Sequence, residues 1–134
     1  MSMFNDKNVI DKYFMDNWTD TPISYEGVPF SHPKDGKWIH VAFLVYDRQV
    51  YGMDGRTGRK KDWGKIVVRC YDSSPTLSMR LANKVQLFLE CIAITADDGN
   101  DIMIDMGISD EFGAVDLDNG IFEVQLSFKC IKYN

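Results

Sequence analysis

The sequence predicts an α+β fold, a mostly antiparallel β-sheet with two helices packed on one face. Two stretches repeat apolar residues at spacings of three and four, which is typical of amphipathic helices. Several other stretches are rich in β-branched and aromatic residues or alternate apolar with polar side chains, which is typical of strands. Turn-forming Asp, Asn and Gly residues separate the later strands and favour antiparallel pairing. The length of 134 residues suits one domain, spanning 1–134.

The first predicted element is a helix near the N-terminus. Asn5 or Asp6 is suited to cap its start, and an acidic side chain also suits the first turn. The sequence Thr-Asp-Thr-Pro ends the helix, because the residue before a proline disfavours the α conformation. Its apolar face consists of Val9, Ile10, Tyr13, Phe14 and Trp18.

An aromatic, extended arm follows at 17–30, with the sequence NWTDTPISYEGVPF. Its apolar content is too high for a flexible linker. Its prolines, glycine and polar residues interrupt the apolar spacing that a helix requires. Pro22 and Pro29 each lack an amide donor, so the arm is a poor central strand. Gly27 permits a bend.

Strands are predicted at 38–46, at 49–53 after a tight turn at Asp47 and Arg48, and at 65–71. The second helix is predicted at 75–91, with Ser74 as its N-cap and Pro75 at its first position. Three further strands are predicted at 92–95, 102–108 and 121–132. In the last one, apolar and polar residues alternate cleanly, which indicates an antiparallel strand with one exposed or partner-covered face.

The search for chemistry yields no catalytic residue, no metal ligand set and no cofactor motif. His32 and His40 lack neighbouring ligands, and no glycine-rich phosphate loop or nucleophile elbow is present. The turn DLDNG at 116–120 resembles a calcium loop, but its glycine comes one position too early, so a hairpin turn is favoured. No two carboxylates show a pattern that converges on a pocket, so an acid/base pair is not indicated.

The net charge, the cysteines and the N-terminus indicate which partners and which cellular compartment to expect. The net charge of −5 argues against nucleic-acid binding through the whole surface. Cys70, Cys91 and Cys130 each lie in an apolar run, which indicates buried thiols in a reducing compartment. The N-terminus does not resemble a signal peptide, and no apolar run is long enough for a membrane span. Synthesis and folding in a cytoplasm are therefore expected.

The segment with the most uneven charge is a basic loop that lies among glycines. Its cations are Arg56, Arg59, Lys60 and Lys61. Either it is a solvated hairpin tip, or it contacts phosphates or an acidic partner surface. A partner protein is favoured over DNA, because Trp63 is the only aromatic residue nearby for stacking on bases.

The order of these motifs resembles the tail terminator (tail completion) proteins of long-tailed bacteriophages. The resemblance rests on the arm at 17–30, the strand opening WIHVAFLV, the basic loop leading into KIVVRCY, the helix SMRLANKVQLFLECI and the final strand GIFEVQLSFKCIKY. Family members commonly have a glycine-rich turn before the long helix, whereas the turn of this chain at 72–78 contains three serines and a proline but no glycine.

The resemblance implies a non-enzymatic virion protein that is assembled in the host cytoplasm. Such proteins form a ring, with a hexamer expected, at the head-proximal end of the tail tube. The implied partners are other copies of the chain, the tail tube protein and neck or head-completion proteins. Genomic DNA would pass through the lumen without sequence-specific binding. The basic loop would meet the tube, the neck or the lumen. The arm would brace the core or a neighbouring subunit through Trp18, Ile23, Tyr25 and Phe30.

Three alternatives stay open at this point. One is an enzyme with an unrecognised carboxylate site, which would show a concave pocket with perturbed titrations. A head-completion or neck stopper protein has a similar size and α+β character. A small module that binds nucleic acid or an anionic ligand through the basic loop would show strongly salt-dependent affinity.

Overall fold

The computed structural model describes residues 3–31, 33–51, 59–109, 114–117 and 120–133. Within these residues there are two helices and seven strands. The helices are α1 (Met3–Asn17) and α2 (Pro75–Leu89). The strands are β1 (Ile23–Tyr25), β2 (Trp38–Tyr51), β3 (Arg59–Asp72), β4 (Ala93–Thr95), β5 (Asp101–Ser109), β6 (Val115–Asp116) and β7 (Phe122–Tyr133).

The strands form one curled sheet in the order β1-β2-β3-β7-β5-β4, and the short β6 pairs with the start of β7. Only β1 pairs in parallel, with β2, and all other described pairs are antiparallel. The predicted α+β class with a mostly antiparallel sheet is confirmed.

One apolar core lies between the helices and one face of the sheet. Alternate residues in the described parts of β2, β3 and β7 are buried in it, as the period of two in a strand requires. They are Ile39, Val41 and Phe43, then Ile66, Val68 and Cys70, then Val124, Leu126, Phe128 and Cys130. Burying a side chain such as Phe14 stabilises the fold by about 1.5–3 kcal/mol relative to exposure. The fully buried core residues include Ile10, Phe14, Ile39, Val41, Ile66, Val68, Val85, Leu89 and Phe128.

Helix α2 begins as its sequence predicts. The Ser74 hydroxyl accepts a hydrogen bond from the Leu77 amide at 3.1 Å, and Pro75 occupies the first turn. The helix ends at Leu89, two residues before the predicted end. Glu90 is already extended, and Cys91 has a left-handed backbone with φ of 57°.

Three local predictions are wrong. Helix α1 begins at Met3, so Asn5 and Asp6 lie inside it and neither is the cap. The tight turn expected at Asp47 and Arg48 is absent, because β2 continues to Tyr51 with a bulge between Val45 and Asp47. The loop expected before residue 65 is also partly strand, since β3 begins at Arg59. Pairing over the full length of two long strands satisfies backbone groups and overrides the local turn signals.

The arm supplies only an edge strand. Residues 23–25 pair in parallel with 39–41 of β2, and the chain turns away at Tyr25, whose carbonyl accepts a hydrogen bond from the Val28 amide at 3.1 Å. This agrees with the prediction that its prolines exclude the arm from the centre of the sheet.

Candidate functional site

Three of the four basic residues predicted to meet a partner lie at the start of β3. Arg56 lies outside the described residues. The strand β3 begins at Arg59, whose backbone pairs with Tyr51 of β2, and Lys60 and Lys61 follow. The described backbone thus places three of the four predicted cations in succession at one end of the sheet. Their contact with a partner stays a prediction.

Trp18 fixes the start of the arm to both helices. It follows the last residue of α1, and its amide donates a hydrogen bond to the Phe14 carbonyl at 2.8 Å. Its side chain is only 8% exposed, and its indole N–H donates to the Thr21 hydroxyl at 2.9 Å. The ring meets that of Phe88 edge-on, with centroids 5.2 Å apart. This is a favourable aromatic geometry.

Phe88 of α2 is the centre of an aromatic cluster that the sequence analysis did not identify. Its ring centroid lies 5.1 Å from that of Tyr13 and 5.2 Å from that of Phe14. Helical spacing placed Tyr13 and Phe14 on the apolar face of the first helix. It contained no signal that they meet around one ring, because that depends on how the two helices pack.

Ile23 and Tyr25 of β1 are half-buried and pack against the edge of the core. The Tyr25 hydroxyl is enclosed and has no hydrogen-bond partner among the described residues. Burial, followed by the negative charges of Asp11 and Asp16, raises the pKa of this phenol to about 12. The local potential at this hydroxyl is therefore negative.

Phe30, the last predicted anchor, reaches the opposite face of the sheet. Its ring centroid lies 6.3 Å from that of Trp38, which stacks on Tyr71 at 4.4 Å. Trp38 alternates with the core residue Ile39, so this second aromatic group lies on the face without helices. The arm therefore passes around the β1 edge and contacts both faces. The assembly role of its anchors stays a prediction.

The face without helices carries polar pairs between neighbouring strands. A ring nitrogen of His40 lies 2.9 Å from the Ser24 hydroxyl, and Arg69 donates to the Gln125 side-chain oxygen at 3.2 Å. Burial, followed by the charge of Arg69, lowers the pKa of His40. The neutral imidazole is thus favoured, and its hydrogen bond to Ser24 holds β1 on β2.

The remaining sequence features concern metal ligands, membrane helices and cysteines. Across the described ranges, no group of three or more His, Cys, Asp or Glu side chains could hold a metal ion. Neither described helix is long and apolar enough to cross a membrane. Cys70 and Cys130 are buried free thiols, whereas Cys91 is exposed, so the expectation of three buried thiols is wrong for Cys91. His32 and Asp118 lie outside the described residues.

Comparisons with known proteins address the fold. No family model and no curated protein sequence matches this chain. One similar solved structure, described by an identifier alone, has a TM-score of 0.68 at 12% identity, covering 96% of this chain and 95% of that chain. Another, described as the virion of a native gene transfer agent (GTA) particle, has a TM-score of 0.61 at 11% identity, covering 99% and 100% of the two chains. At such identities the likeness shows a shared fold.

Proposed function

We propose that this chain is a non-enzymatic structural protein of a phage-like virion and acts as a tail terminator. It forms a ring, with a hexamer expected, at the head-proximal end of the tail tube. The ring ends tube polymerisation and joins the tail to the neck, while genomic DNA passes through its lumen. The observation that carries the proposal is the likeness in fold, over both whole chains, to a chain of a gene transfer agent virion.

The described structure supplies features that suit assembly. A ring needs head-to-tail contacts between two different surfaces of one chain. The proposal takes the arm around the β1 edge and the basic start of β3 as these two surfaces. The proposal assigns no reaction, cofactor or metal to the chain.

The test measures ring formation and tube capping. Native mass spectrometry and negative-stain images of the concentrated protein are expected to show a hexamer with a central hole. If the ring needs a template, the chain is expected to bind the ends of isolated tail tubes and to stop their growth. A chain that stays monomeric and leaves tube ends free to polymerise would contradict the proposal.

A second candidate is a head-completion or neck stopper protein. The same structural likeness supports it equally, because the description of that virion does not assign its chain a position. The two candidates differ in the surface that they bind. A stopper is expected to bind the head-side neck complex and to leave isolated tube ends uncapped.

A further inference from the structure

The two sides of the sheet are only partly covered by their edge strands. β1 has three residues and pairs with 39–41 of the much longer β2. β4 also has three residues and pairs with 101–103 of β5. Within the part of the chain that the structure describes, no strand pairs with the outer side of 42–51 in β2 or of 105–109 in β5. These two stretches are called the β2 open section and the β5 open section.

The β2 open section presents backbone groups to the outside at alternate residues. The Ile39 amide donates to the Pro22 carbonyl at 3.2 Å, and the Val41 carbonyl accepts from the Glu26 amide at 3.2 Å. Every second residue thus faces the β1 side, up to the bulge that follows Val45. Val45 therefore directs its amide and carbonyl outward, past the end of β1. A row of such backbone groups is a template for another strand.

The β5 open section begins where the contact with β4 ends. The last hydrogen bond on that side is the one from the Ile104 amide to the Ile92 carbonyl, at 2.9 Å. Further along, the Gly107 carbonyl accepts a long hydrogen bond of 3.4 Å from the Gln86 side chain, and a carbonyl oxygen can accept a second one. Each residue of a strand also carries a backbone donor and a backbone acceptor. β5 can therefore take a further strand along its outer side.

The two open sections have the directions that antiparallel pairing needs. β2 is antiparallel to β3, β3 is antiparallel to β7, and β7 is antiparallel to β5. β5 therefore runs opposite to β2. Rotation of a copy about an axis roughly along the strands preserves these directions. The β5 open section of one copy thus meets the β2 open section of the next as an antiparallel pair.

We propose that the β2 open section pairs with the β5 open section of a second copy of the chain. The inference rests on the proposed function, because it adds a backbone contact between neighbouring subunits to the surfaces named for the ring. Main-chain hydrogen bonds supply the affinity when a strand is added to a sheet edge. The two sections lie on opposite sides of the sheet, with β3 and β7 between them. The contact is therefore head-to-tail, as a closed ring requires.

Neighbouring copies are shifted relative to each other along the strands. Across β3 and β7, Val45 is level with Ile104, and Val41 is level with Ser109. The β5 open section is therefore level with only the first part of the β2 open section. A shift along the strands brings the two sections fully side by side and keeps β1 and β4 clear of the contact. Closed barrels contain the same kind of shift, with strands tilted to the barrel axis.

Hydrogen exchange tests the contact directly. Amide exchange of the wild-type ring is compared with that of the monomer by mass spectrometry. Peptides that cover the two open sections are expected to exchange at least about tenfold more slowly in the ring, because exchange then requires the contact to open. Residues 66–70 of β3 pair on both sides within one chain and serve as the internal control. If the ring forms only on tube ends, the tube-bound chain replaces the ring in this comparison.

A proline at Val45 removes one outward amide from the contact. Proline is tolerated on the open side of an edge strand, so Val45→Pro is expected to stay folded by circular dichroism. It is expected to assemble at least about tenfold more weakly than wild type, because a hydrogen bond is lost and the proline ring obstructs the added strand. Val45→Ala keeps the amide and is the matched control, which is expected to assemble as wild type does. The readout is native mass spectrometry of the full chain.

The outcomes separate this contact from the proposed function. Equal exchange of the open sections in ring and monomer would overturn the inference, and so would wild-type assembly of a folded Val45→Pro variant. In either case the ring function stands, because the ring then closes through other surfaces. If Val45→Pro does not fold, the exchange comparison alone decides. A wild-type chain that neither forms rings nor caps tubes contradicts the contact and the proposed function together.

Discussion

The ammonium nitrogen of Lys132 lies 2.6 Å from a carboxylate oxygen of Asp98, although the lysine residue is only 2% exposed. The same nitrogen lies 3.3 Å from a carboxylate oxygen of Asp6, which is also buried. These pairs connect β7 to the β4–β5 turn and to α1. A buried ammonium group is tolerated because its charge is balanced and hydrogen-bonded there.

Lys132→Met is expected to destabilise the protein by about 3–5 kcal/mol, because it removes a cation that balances the buried Asp6 carboxylate. Urea unfolding of the purified chain measures this loss. Lys84→Met is the matched control, since Lys84 forms an exposed pair with Asp20 at 3.0 Å. Loss of that pair is expected to cost about 0–1 kcal/mol. Equal losses in the two variants would contradict a structural role for the buried lysine.

The Asp98 carboxylate gives stability a specific dependence on pH. The hydrogen bond from Lys132 lowers the pKa of Asp98. A carboxyl group whose pKa is lower in the folded state contributes stability that is present above its unfolded pKa of about 4. This contribution is lost as the pH falls through the folded pKa. Urea unfolding between about pH 7 and pH 2.5 is expected to show a shallower loss for Asp98→Asn than for wild type, and parallel curves would refute the linkage.

Trp18→Ala is expected to lower the free energy of unfolding by about 3–5 kcal/mol, the usual effect of removing a buried aromatic side chain. The variant loses the contact with Phe88 and the hydrogen bond to Thr21. Met15→Ala, three residues earlier on an exposed position, is expected to change it by less than about 0.5 kcal/mol. An unchanged melting temperature for Trp18→Ala would show that this residue does not anchor the arm.

Local sequence patterns predicted those elements whose signals come from residues close together in the sequence. Ser74 and Pro75 defined the start of α2, and the alternation along β7 identified its buried face, because capping and periodicity depend on a few neighbouring residues. The prolines of the arm excluded it from the centre of the sheet for the same reason. The basic loop and the arm were also recognisable as candidate contact surfaces from composition alone.

Features that depend on distant pairing were not predictable in this way. The extension of β2 past Asp47 requires the partner β3, and the turn signal alone was misleading. Lys132 occupies a buried position of β7, the next one after Cys130 in the alternation. Only its ion pairs with Asp6 and Asp98 explain a lysine at this position. A groove between α1 and the residues 25–28 likewise exists only because this helix packs beside the turn after β1.

The three cysteines are expected to differ in reactivity. Burial raises the pKa of the Cys70 thiol to about 12 and that of Cys130 to about 12, whereas Cys91 is exposed. A thiol reagent such as DTNB at about pH 8 should therefore modify one thiol of the native chain quickly and the other two only on unfolding. Cys91→Ser is the control, and it should abolish the fast phase. Fast modification of two or three thiols would contradict the burial of the β-strand cysteines.

The close packing of Gly107 against Phe128 gives a last prediction. A Cβ atom at Gly107 would lie 2.5 Å from one ring carbon of Phe128 and 2.7 Å from another. That ring is fully buried and cannot move away freely. Gly107→Ala is therefore expected to destabilise the protein by about 1–3 kcal/mol through overpacking, measured by urea unfolding.

The matched test for this overpacking is Phe128→Leu, alone and combined with Gly107→Ala. If the clash with the ring is the cause, the double variant loses less stability than the sum of the two single variants, because the smaller side chain makes room for the added methyl group. Strict additivity would show that the loss arises elsewhere, and a Gly107→Ala variant as stable as wild type would contradict the packing itself.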